Sequence, residues 1–484
     1  MVEKRKKSIL VLFFLSWSIL LTSFIVNSLI PNEEWYRIWG QDGEDWGYAI
    51  YIDNNDNIYL TGKTPIDETG DIILMKYNSL GDLEFYKTWG DIGSELSSQL
   101  EINKFNNIYI TGLTTSYGAG GQDVLLLKFN ITGDLIWSQT WGGSQNEAGN
   151  DLVIDSNSNI YIAGTTESFG AGDYDILLLK YNQSGDQIWN RTWGGEFKVD
   201  SCLGLDIDSN NNIFLIGTVK DIGLHQPGDI VLIKYDSNGN QLWNITWDNN
   251  YDNSGFDIEI DSNDFIYMTG LSNERMFLLK YNTLGDLIWY KTWGQDYNVG
   301  SDLYIDINDN IFVTGWINNI ISGFDIFYLK FDPKGELEKS IIWSEGHLNM
   351  GRGIALDSRE NIYIVGITNN FGGESGKDNI LLIKNPCVFS DLKTFLLIIL
   401  ITSIASLSGL TLFLLFLMLD KELVDKILKD LVSVVKLIKP LKFTPKKIQD
   451  LLLQIVKKYK TRTERNGNNN DKFRRRRNCG LSDV

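Results

Sequence analysis

The stretch "NIYITGLTTSYGAGGQDVLLLKFNITGDLIWSQTWGG", residues 107–143, is followed by a near copy, "NIYIAGTTESFGAGDYDILLLKYNQSGDQIWNRTWGG", residues 159–195. Seven such copies align along the chain. One glycine marks the same place in each copy: Gly62, Gly112, Gly164, Gly217, Gly270, Gly315 and Gly366. These glycines are 45 to 53 residues apart, a spacing that is typical of propeller blades and not of helical solenoids.

Each copy contains four short apolar or alternating runs. In the copy near residues 150–195 these runs are "DLVID", "NIYIAG", "DILLLKY" and "QIWNRTW". The segments "DSNSN" and "YNQSGD" separate them and predict hairpin turns, because Asn, Asp and Gly accept the backbone conformations that such turns need. Four antiparallel strands in each of seven copies predict an all-β fold, a seven-bladed β-propeller with four-stranded blades.

The two ends of the repeat region complement each other. The region begins with a fourth strand, "EWYRIW" at residues 34–39, and ends with a third strand, "NILLIK" at residues 379–384. An N-terminal strand that completes the last blade closes the ring and leaves no free sheet edge. We therefore predict that the propeller is closed by its own N-terminal strand.

The phrases "DSNSNIYIAGTT", "DILLLKYNQSGDQIW" and "TWGG" resemble the SBBP-type repeats of bacterial and archaeal surface proteins. The resemblance covers residues 34–384 and is strongest in the second and third copies. It implies a propeller and a location at the cell surface. It implies no particular reaction.

Two long uncharged segments flank the repeats. Residues 8–30 follow the basic start "MVEKRKK" and fit either a cleaved signal peptide or an uncleaved signal anchor. Residues 395–419, "FLLIILITSIASLSGLTLFLLFLML", are long enough to cross a bilayer and predict a transmembrane helix. The chain would thus cross the cell membrane once or twice.

The charges predict the orientation. Residues 420–484 contain 18 Lys and Arg against 8 Asp and Glu, whereas the whole chain has a net charge of −18, so the repeats are strongly acidic. Basic flanks stay in the cytoplasm, which places the propeller outside and the C-terminal tail inside. The predicted domains are residues 1–30 (signal peptide or anchor), 31–385 (propeller), 395–419 (transmembrane helix), 420–460 (basic amphipathic helices) and 461–484 (disordered basic tail).

These features also restrict the partners. An acidic ectodomain argues against nucleic acid, and the basic juxtamembrane helices favour contact with an anionic inner leaflet. The unidentified partner is predicted to be a surface protein or a glycan. Three distant cysteines, Cys202, Cys387 and Cys479, give no disulfide framework. Four Asn-x-Ser/Thr sequons are candidate glycosylation sites of the exterior region: Asn130, Asn182, Asn190 and Asn244.

An aspartate stands just before the third strand in six copies. These are the candidate binding residues: Asp71, Asp123, Asp175, Asp229, Asp325 and Asp378. One interpretation is an acidic ring on the face that carries the variable loops, where calcium would be the possible cation. The other is a carboxylate that accepts loop N–H groups and fixes a repeated bend. No cofactor is required by the sequence, and the "DSNSN" turns lack the Gly and bidentate Glu of an EF-hand.

Catalytic residues are sparse. The chain has two histidines, His225 and His347, in different copies, which leaves little room for a His-based metal site or a Ser-His-Asp triad. The sequence therefore favours a non-catalytic binding or adhesion scaffold that acts through its outward loops and leaves an enzymatic role open. One alternative is an extracellular enzyme that acts on polysaccharide with carboxylates of the central channel. Another is a receptor that relays to a cytoplasmic partner.

Overall fold

The computed structural model describes residues 35–385 except 42, 66–69, 222–226, 296, 320–322, 345–347 and 370–376. The segments predicted as signal peptide or anchor, transmembrane helix and basic tail lie outside these residues, as do His225 and His347. Within the described part of the chain, no helix has the length and apolar character needed to cross a bilayer.

The described residues form an all-β, seven-bladed propeller with four-stranded antiparallel blades. The innermost strands are β2 (Trp46–Ile52), β6 (Glu95–Ile102), β10 (Glu147–Ile154), β14 (Lys198–Ile207), β18 (Asn253–Ile260), β22 (Asn298–Ile305) and β26 (Asn349–Leu356). The second strands are β3 (Ile58–Thr64), β7 (Ile108–Thr114), β11 (Ile160–Thr166), β15 (Ile213–Asp221), β19 (Ile266–Ser272), β23 (Ile311–Asn319) and β27 (Ile362–Thr368).

The third and outer strands complete the blades. The third strands are β4 (Asp71–Tyr77), β8 (Asp123–Phe129), β12 (Asp175–Tyr181), β16 (Asp229–Tyr235), β20 (Arg275–Tyr281), β24 (Gly323–Phe331) and β28 (Asn379–Asn385). The outer strands are β5 (Leu83–Trp89), β9 (Leu135–Trp141), β13 (Gln187–Trp193), β17 (Gln241–Trp247), β21 (Leu287–Trp293), β25 (Leu337–Trp343) and β1 (Trp35–Trp39). Blades 1 to 6 start with β2, β6, β10, β14, β18 and β22, and blade 7 contains β26, β27, β28 and β1.

The predicted closure of the ring is confirmed. β1 pairs antiparallel with β28, with Trp35 opposite Lys384 and Trp39 opposite Ile380. At the junction of blades 7 and 1, the indole N–H of Trp46 donates to Asp378 over 2.9 Å. The first and last described strands therefore lie side by side, and β28 is paired on both sides, with β27 and with β1.

A glycine in each second strand makes room for a bulge in the innermost strand. A Cβ added at Gly112 would lie 1.9 Å from the carbonyl oxygen of Leu96, and one at Gly164 would lie 1.9 Å from that of Ala148. The strand pairing skips one innermost residue at this place in every blade, for example Ser98 between Ser97 and Gln99. The repeated glycine thus permits a bulge that turns an extra residue toward the centre of the ring.

Side-chain hydrogen bonds fix the tight turns, as the composition predicted. In the turn before β11, Oδ1 of Asp155 accepts the N–H groups of Asn157 and Asn159 over 2.8 Å each, and Ser158 adopts a positive φ of 64°. Both Oδ atoms of Asp155 are used within the turn, since Oδ2 accepts Nδ2 of Asn159 over 2.7 Å. These turns are therefore Asx-type hairpins.

The hydrophobic core lies between neighbouring blades. One cluster combines Val124 and Leu126 of blade 2 with Leu152, Ile160 and Leu177 of blade 3. Two tryptophans four residues apart in an outer strand, such as Trp137 and Trp141 of β9, pack against such a cluster. Along the blade face, Lys128 lies between two aromatic rings, 5.2 Å from the ring centre of Tyr109 and 5.7 Å from that of Trp137. These regular aromatic residues therefore stabilise the scaffold.

Candidate functional site

The predicted aspartates lie at the blade junctions. Asp123, Asp175 and Asp325 are almost completely buried, Asp71 is 9% exposed, and Asp229 and Asp378 are half-buried. Asp378 lies one residue before β28, and Asn379 takes the strand position that Asp71 has in blade 1. In blade 5 this position is Arg275. As binding residues the six aspartates stay a prediction.

At these junctions the aspartates bend the loops and face a polar residue of the next blade. Oδ2 of Asp175 accepts the N–H groups of Ala171 and Gly172 over 2.8 and 3.0 Å. Its Oδ1 faces the small space beneath Gly194, where a Cβ would lie 1.8 Å from it and 2.8 Å from Oδ2 of Asp200. Burial raises the pKa of Asp200 to about 6. The glycine of the repeated Trp-Gly pair is therefore required for close approach of two carboxyl groups.

The four candidate glycosylation residues fall into two structural groups. Asn130 and Asn182 hold hairpin turns, since each donates Nδ2 to an aspartate, Asp134 and Asp186 respectively. Asn190 and Asn244 are exposed on the outer strands β13 and β17. A glycan at Asn130 or Asn182 would compete with a turn hydrogen bond, whereas Asn190 and Asn244 are accessible. Glycosylation at all four stays a prediction.

The bulges of the innermost strands surround a central cavity of about 520 Å³. All seven bulge residues line it: Tyr48, Ser98, Asn150, Leu203, Phe256, Ser301 and Arg352. Two further rows of the same strands also face the centre and contribute Gln99, Asp151, Asp257 and Asp302 in one row and Tyr51, Glu101, Glu259 and Tyr304 in the other. We refer to this space as the channel.

Five carboxyl groups line the channel: Glu101, Asp151, Asp257, Glu259 and Asp302. Among the described lining residues, Arg352 carries the one basic side chain. Burial is the main cause of raised pKa values here, and mutual repulsion adds to it. It raises the pKa of Glu101 and Asp151 to about 8 and that of Asp302 to about 7, and it raises the pKa of Glu259 well above its usual range.

Several of these carboxylates also join neighbouring blades. Oδ2 of Asp151 accepts the N–H of Leu205 in the next blade over 2.6 Å, and Oδ2 of Asp302 accepts that of Ile354 over 2.6 Å. A further carboxylate, Asp206, accepts the N–H of Ile260 over 2.8 Å and repels Glu101 and Glu259. Four channel aspartates, Asp151, Asp206, Asp257 and Asp302, therefore connect the innermost strands of blades 3 to 7.

Asp257 and Asp302 form a hydrogen-bonded pair. Burial, followed by the charge of Asp302, raises the pKa of Asp257 well above its usual range. Two carboxyl groups can share a hydrogen bond only when one of them is protonated. The pair therefore contains a neutral acid that can donate a proton and a carboxylate that can accept one.

Glu259 lies beside this pair in a different role. Its side chain makes no hydrogen bond to a described residue, and its pKa rises through burial and through repulsion from Asp206, Asp257 and Asp302. It is half-buried and lines the channel. Glu259 is thus the carboxyl group whose oxygens are available to a ligand.

Arg352 and Ser301 place unsatisfied polar atoms on the channel wall. Nε of Arg352 and Oγ of Ser301 are buried and have no hydrogen-bond partner among the described residues. The guanidinium group lies 6.0 Å from the ring centre of Tyr48 and contacts Sδ of Met350 over 3.8 Å. Because buried polar atoms in folded proteins are nearly always paired, these two atoms indicate where a ligand or water binds.

The described part of the chain contains no group of three or more His, Cys, Asp and Glu side chains arranged to hold a metal ion. The carboxyl groups of the channel can bind a cation or hydroxyl groups. Calcium at the junction aspartates stays a prediction.

Sequence reasoning placed carboxylates in the channel as an alternative but named none of the residues. The signal that would have identified them is the position relative to the second-strand glycine. The residue that pairs next to that glycine after each bulge faces the channel, as Asp257 does opposite Thr269 and Asp302 opposite Thr314. These positions fall in stretches such as "NSGFDIEI" and "NVGSDLYI", which read as ordinary strands.

A family model described as SBBP, β-propeller repeat, matches residues 34–67 and 136–169. The first match runs from the outer strand that closes blade 7 into blade 1, and the second runs from the outer strand of blade 2 into blade 3. The chain is an SBBP-type seven-bladed β-propeller. The matched residues include the bulge residues Tyr48 and Asn150, so this repeat carries the element that builds the channel.

This SBBP-type propeller is also similar to other proteins. It is 25% identical over 114 residues to the regulatory protein FlaEY of Caulobacter vibrioides, which covers 21% of this chain and 12% of FlaEY. It is 24% identical over 203 residues to an uncharacterized WD repeat-containing protein, L264, of Acanthamoeba polyphaga mimivirus, which covers 31% of this chain and 14% of that protein. The chain thus spans only a small part of the length of these relatives.

Among solved structures, the propeller is similar to a polysaccharide lyase, an ulvan lyase bound to -[GlcA(1-4)Rha3S]-. The TM-score is 0.50 at 11% sequence identity, and the alignment covers 74% of this chain and 99% of the lyase chain. At this identity the likeness concerns the fold alone.

Proposed function

We propose that this propeller is a binding protein whose channel takes up a polyhydroxylated ligand, a saccharide. The observation that carries the proposal is the channel itself, a cavity of about 520 Å³ with carboxyl, amide, hydroxyl and guanidinium groups on one continuous wall. A cavity of this size lies within the range of small-ligand sites. Function is argued from these groups because propellers as a fold host many activities.

The arrangement of polar and aromatic groups suits a sugar. Arg352 Nε and Ser301 Oγ are donors without a partner among the described residues, and Glu259 offers acceptor oxygens. Tyr51 and Tyr304 contribute aromatic rings to the same wall, against which the apolar face of a sugar can pack.

The proposal includes display at the cell surface. The basic start and the uncharged segment of residues 8–30, together with the uncharged segment of residues 395–419, support an anchored propeller with its tail in the cytoplasm. The channel would then be open to extracellular glycans. The proposal also includes binding through the outward loops and a role in adhesion.

The test is calorimetric titration of the full-length, detergent-solubilised protein with oligosaccharides found as hits on a glycan array. We expect saturable binding that weakens about tenfold or more in Arg352→Ala, because loss of a charged donor in a buried site costs about 1.5–3 kcal/mol. Glu196→Gln is the control, since Glu196 is exposed and does not line the channel. Binding that is unchanged in Arg352→Ala would contradict a channel site.

A second candidate function is cleavage of a polysaccharide by acid and base catalysis. The specific observation that favours it is the Asp257 and Asp302 pair, in which one carboxyl is protonated and the other accepts its hydrogen bond. The same titration samples assayed for new chain ends test this candidate. Turnover that disappears in both Asp257→Asn and Asp302→Asn supports it, and binding without any product refutes it.

A further inference from the structure

We infer that the channel selects a saccharide that bears a primary ammonium group, an amino sugar, and that this ammonium group binds between Glu259 and the Asp257 and Asp302 pair. The inference rests on the proposed function and adds the chemical class of the ligand. It follows from the charges, the hydrogen bonds and the free atoms of the channel wall.

The charge balance of the wall favours a cation. Five carboxyl groups and one guanidinium group line the channel, and Asp206 adds a sixth carboxyl close enough to repel Glu101 and Glu259. In a confined space of low dielectric, one added positive charge offsets the repulsion that arises when these acids ionise. A neutral sugar would not reduce this repulsion, and a uronate would increase it.

The wall also has a place for the ammonium group. Four aspartates each accept a backbone N–H of the next blade, so their oxygens are partly used by the fold: Asp151, Asp206, Asp257 and Asp302. Glu259 accepts no hydrogen bond from a described residue, and Asp257 and Asp302 share one proton. An ammonium group with three N–H donors can replace that proton and bond to Glu259 as well.

The unpartnered donors determine what else the ligand carries. Nε of Arg352 and Oγ of Ser301 require acceptors on the ligand, and Ser301 is adjacent to Asp302 in the strand. A sugar ring supplies hydroxyl oxygens next to its amino group. A simple polyamine supplies no acceptor and would leave both atoms unpaired.

Proton release is the signature of this binding mode. Since burial and repulsion keep the channel acids protonated at neutral pH, an ammonium group that pairs with them favours their ionised forms and expels protons to the buffer. Affinity should therefore rise with pH until the ligand's own ammonium group loses its proton. The other titratable groups that face this space are Tyr48, Tyr51, Glu101, Asp151, Asp206, Tyr304 and Arg352.

The experiment compares two ligands that differ only at nitrogen: a glucosamine trisaccharide and its N-acetylated form. Full-length protein is titrated with each in phosphate and in HEPES, whose ionisation heats differ, at pH 6, 7 and 8. We expect the amine form to bind at least about tenfold tighter at pH 7, with release of protons that appears as a buffer-dependent heat. Glu259→Gln should remove most of this difference, and Glu196→Gln should leave it unchanged.

The outcomes separate the inference from the proposed function. Equal binding of both trisaccharides without proton release overturns the inference and leaves saccharide binding intact. Absence of binding by either, when glycan-array hits are also absent, overturns the proposed function. Spermidine that binds as tightly as the glucosamine trisaccharide overturns the assignment to a sugar, because the ligand would then need no hydroxyl groups. If Glu259→Gln lowers the unfolding temperature strongly, Asp257→Asn replaces it, since Asp257 belongs to the proposed ammonium site and lines the same wall.

Discussion

Glu101 is a carboxyl group that the fold keeps in its neutral form. Burial is the first cause of its pKa of about 8, and the charges of Asp151 and Asp206 add to it. Ionisation of Glu101 therefore opposes folding, because the folded protein holds this proton more tightly than the unfolded chain does. The stability that the neutral acid permits is complete below the unfolded pKa near 4.5 and is lost as the pH rises through about 8.

The corresponding prediction concerns Glu101→Gln. The amide cannot ionise, so the variant should match the wild type near pH 4 and exceed its free energy of unfolding by about 1–2 kcal/mol at pH 8.5. Urea denaturation at pH 4, 6 and 8.5 measures this. Glu196→Gln, at an exposed position, should follow the wild type throughout. A variant that is less stable than the wild type at pH 8.5 would contradict a neutral Glu101.

A second residue-scale prediction concerns the repeated glycine. Gly112→Ala should cost at least about 3 kcal/mol of unfolding free energy, because the new Cβ would meet the backbone oxygen of Leu96 at 1.9 Å. Gly195→Ala is the matched control, since its Cβ would meet only the flexible side chain of Lys198 at 3.1 Å. Thermal unfolding followed by circular dichroism distinguishes the two. Equal unfolding temperatures would show that the bulge relaxes without cost.

At the level of elements, the strands with strong apolar or alternating patterns were predictable to the residue. The third and outer strands of blade 3, β12 and β13, begin and end where their sequence pattern predicts. The innermost strand β10 begins earlier, at Glu147, because "EAGN" looks like loop sequence and yet pairs with β11. Polar residues in this strand face the channel or a blade junction. The first half of the strand therefore lacks the apolar pattern by which a buried strand is recognised in a sequence.

Glu147, one of these polar strand residues, connects β10 to the loops around it by hydrogen bonds. Its Oε1 accepts the hydroxyl of Thr166 over 3.1 Å and the N–H of Ser168 over 2.9 Å, and its Oε2 accepts the N–H of Gly143 over 2.7 Å. One side chain thus joins β10, the loop after β11 and the loop after β9.

We predict that Glu147→Ala costs about 3 kcal/mol, because it leaves one buried and two partly buried donors unsatisfied at about 1 kcal/mol each. Glu196→Ala removes an exposed carboxylate of the same type and should cost less than about 0.5 kcal/mol. Guanidinium denaturation measures both. A small effect of Glu147→Ala would mean that water replaces the carboxylate.

For the whole molecule, the sequence predicted the number of blades and the closing strand. The number of copies gives the blades, and the repeat region begins with a fourth strand and ends with a third strand, which predicts the closure. The sequence could not predict the acidic channel. The channel residues come from all seven blades, and only the ring brings Glu101, Asp151, Asp257 and Glu259 to one cavity. The sequence alone does not show that these residues lie close together, because their proximity depends on the closed ring.

The closure predicts the behaviour of two rearranged chains. Deletion of residues 31–39 removes β1 and exposes the edge of β28, so this form should unfold at a lower temperature and self-associate. A circular permutant that starts at residue 40 and carries residues 33–39 after residue 385, joined by a copy of the turn Asn182–Asp186, should regain the wild-type unfolding temperature. Light scattering and calorimetry test both forms. A permutant as unstable as the deletion would contradict the pairing of Trp35 with Lys384.

The bulge has an evolutionary consequence. The glycine that permits it is the same in all seven blades, whereas the residue that it turns inward differs: Tyr48, Ser98, Asn150, Leu203, Phe256, Ser301 and Arg352. The glycine that maintains the scaffold and the residue that lines the channel are therefore encoded by separate codons. A lineage can exchange one inward residue at a time and so drift from one ligand to another while every intermediate remains a folded propeller.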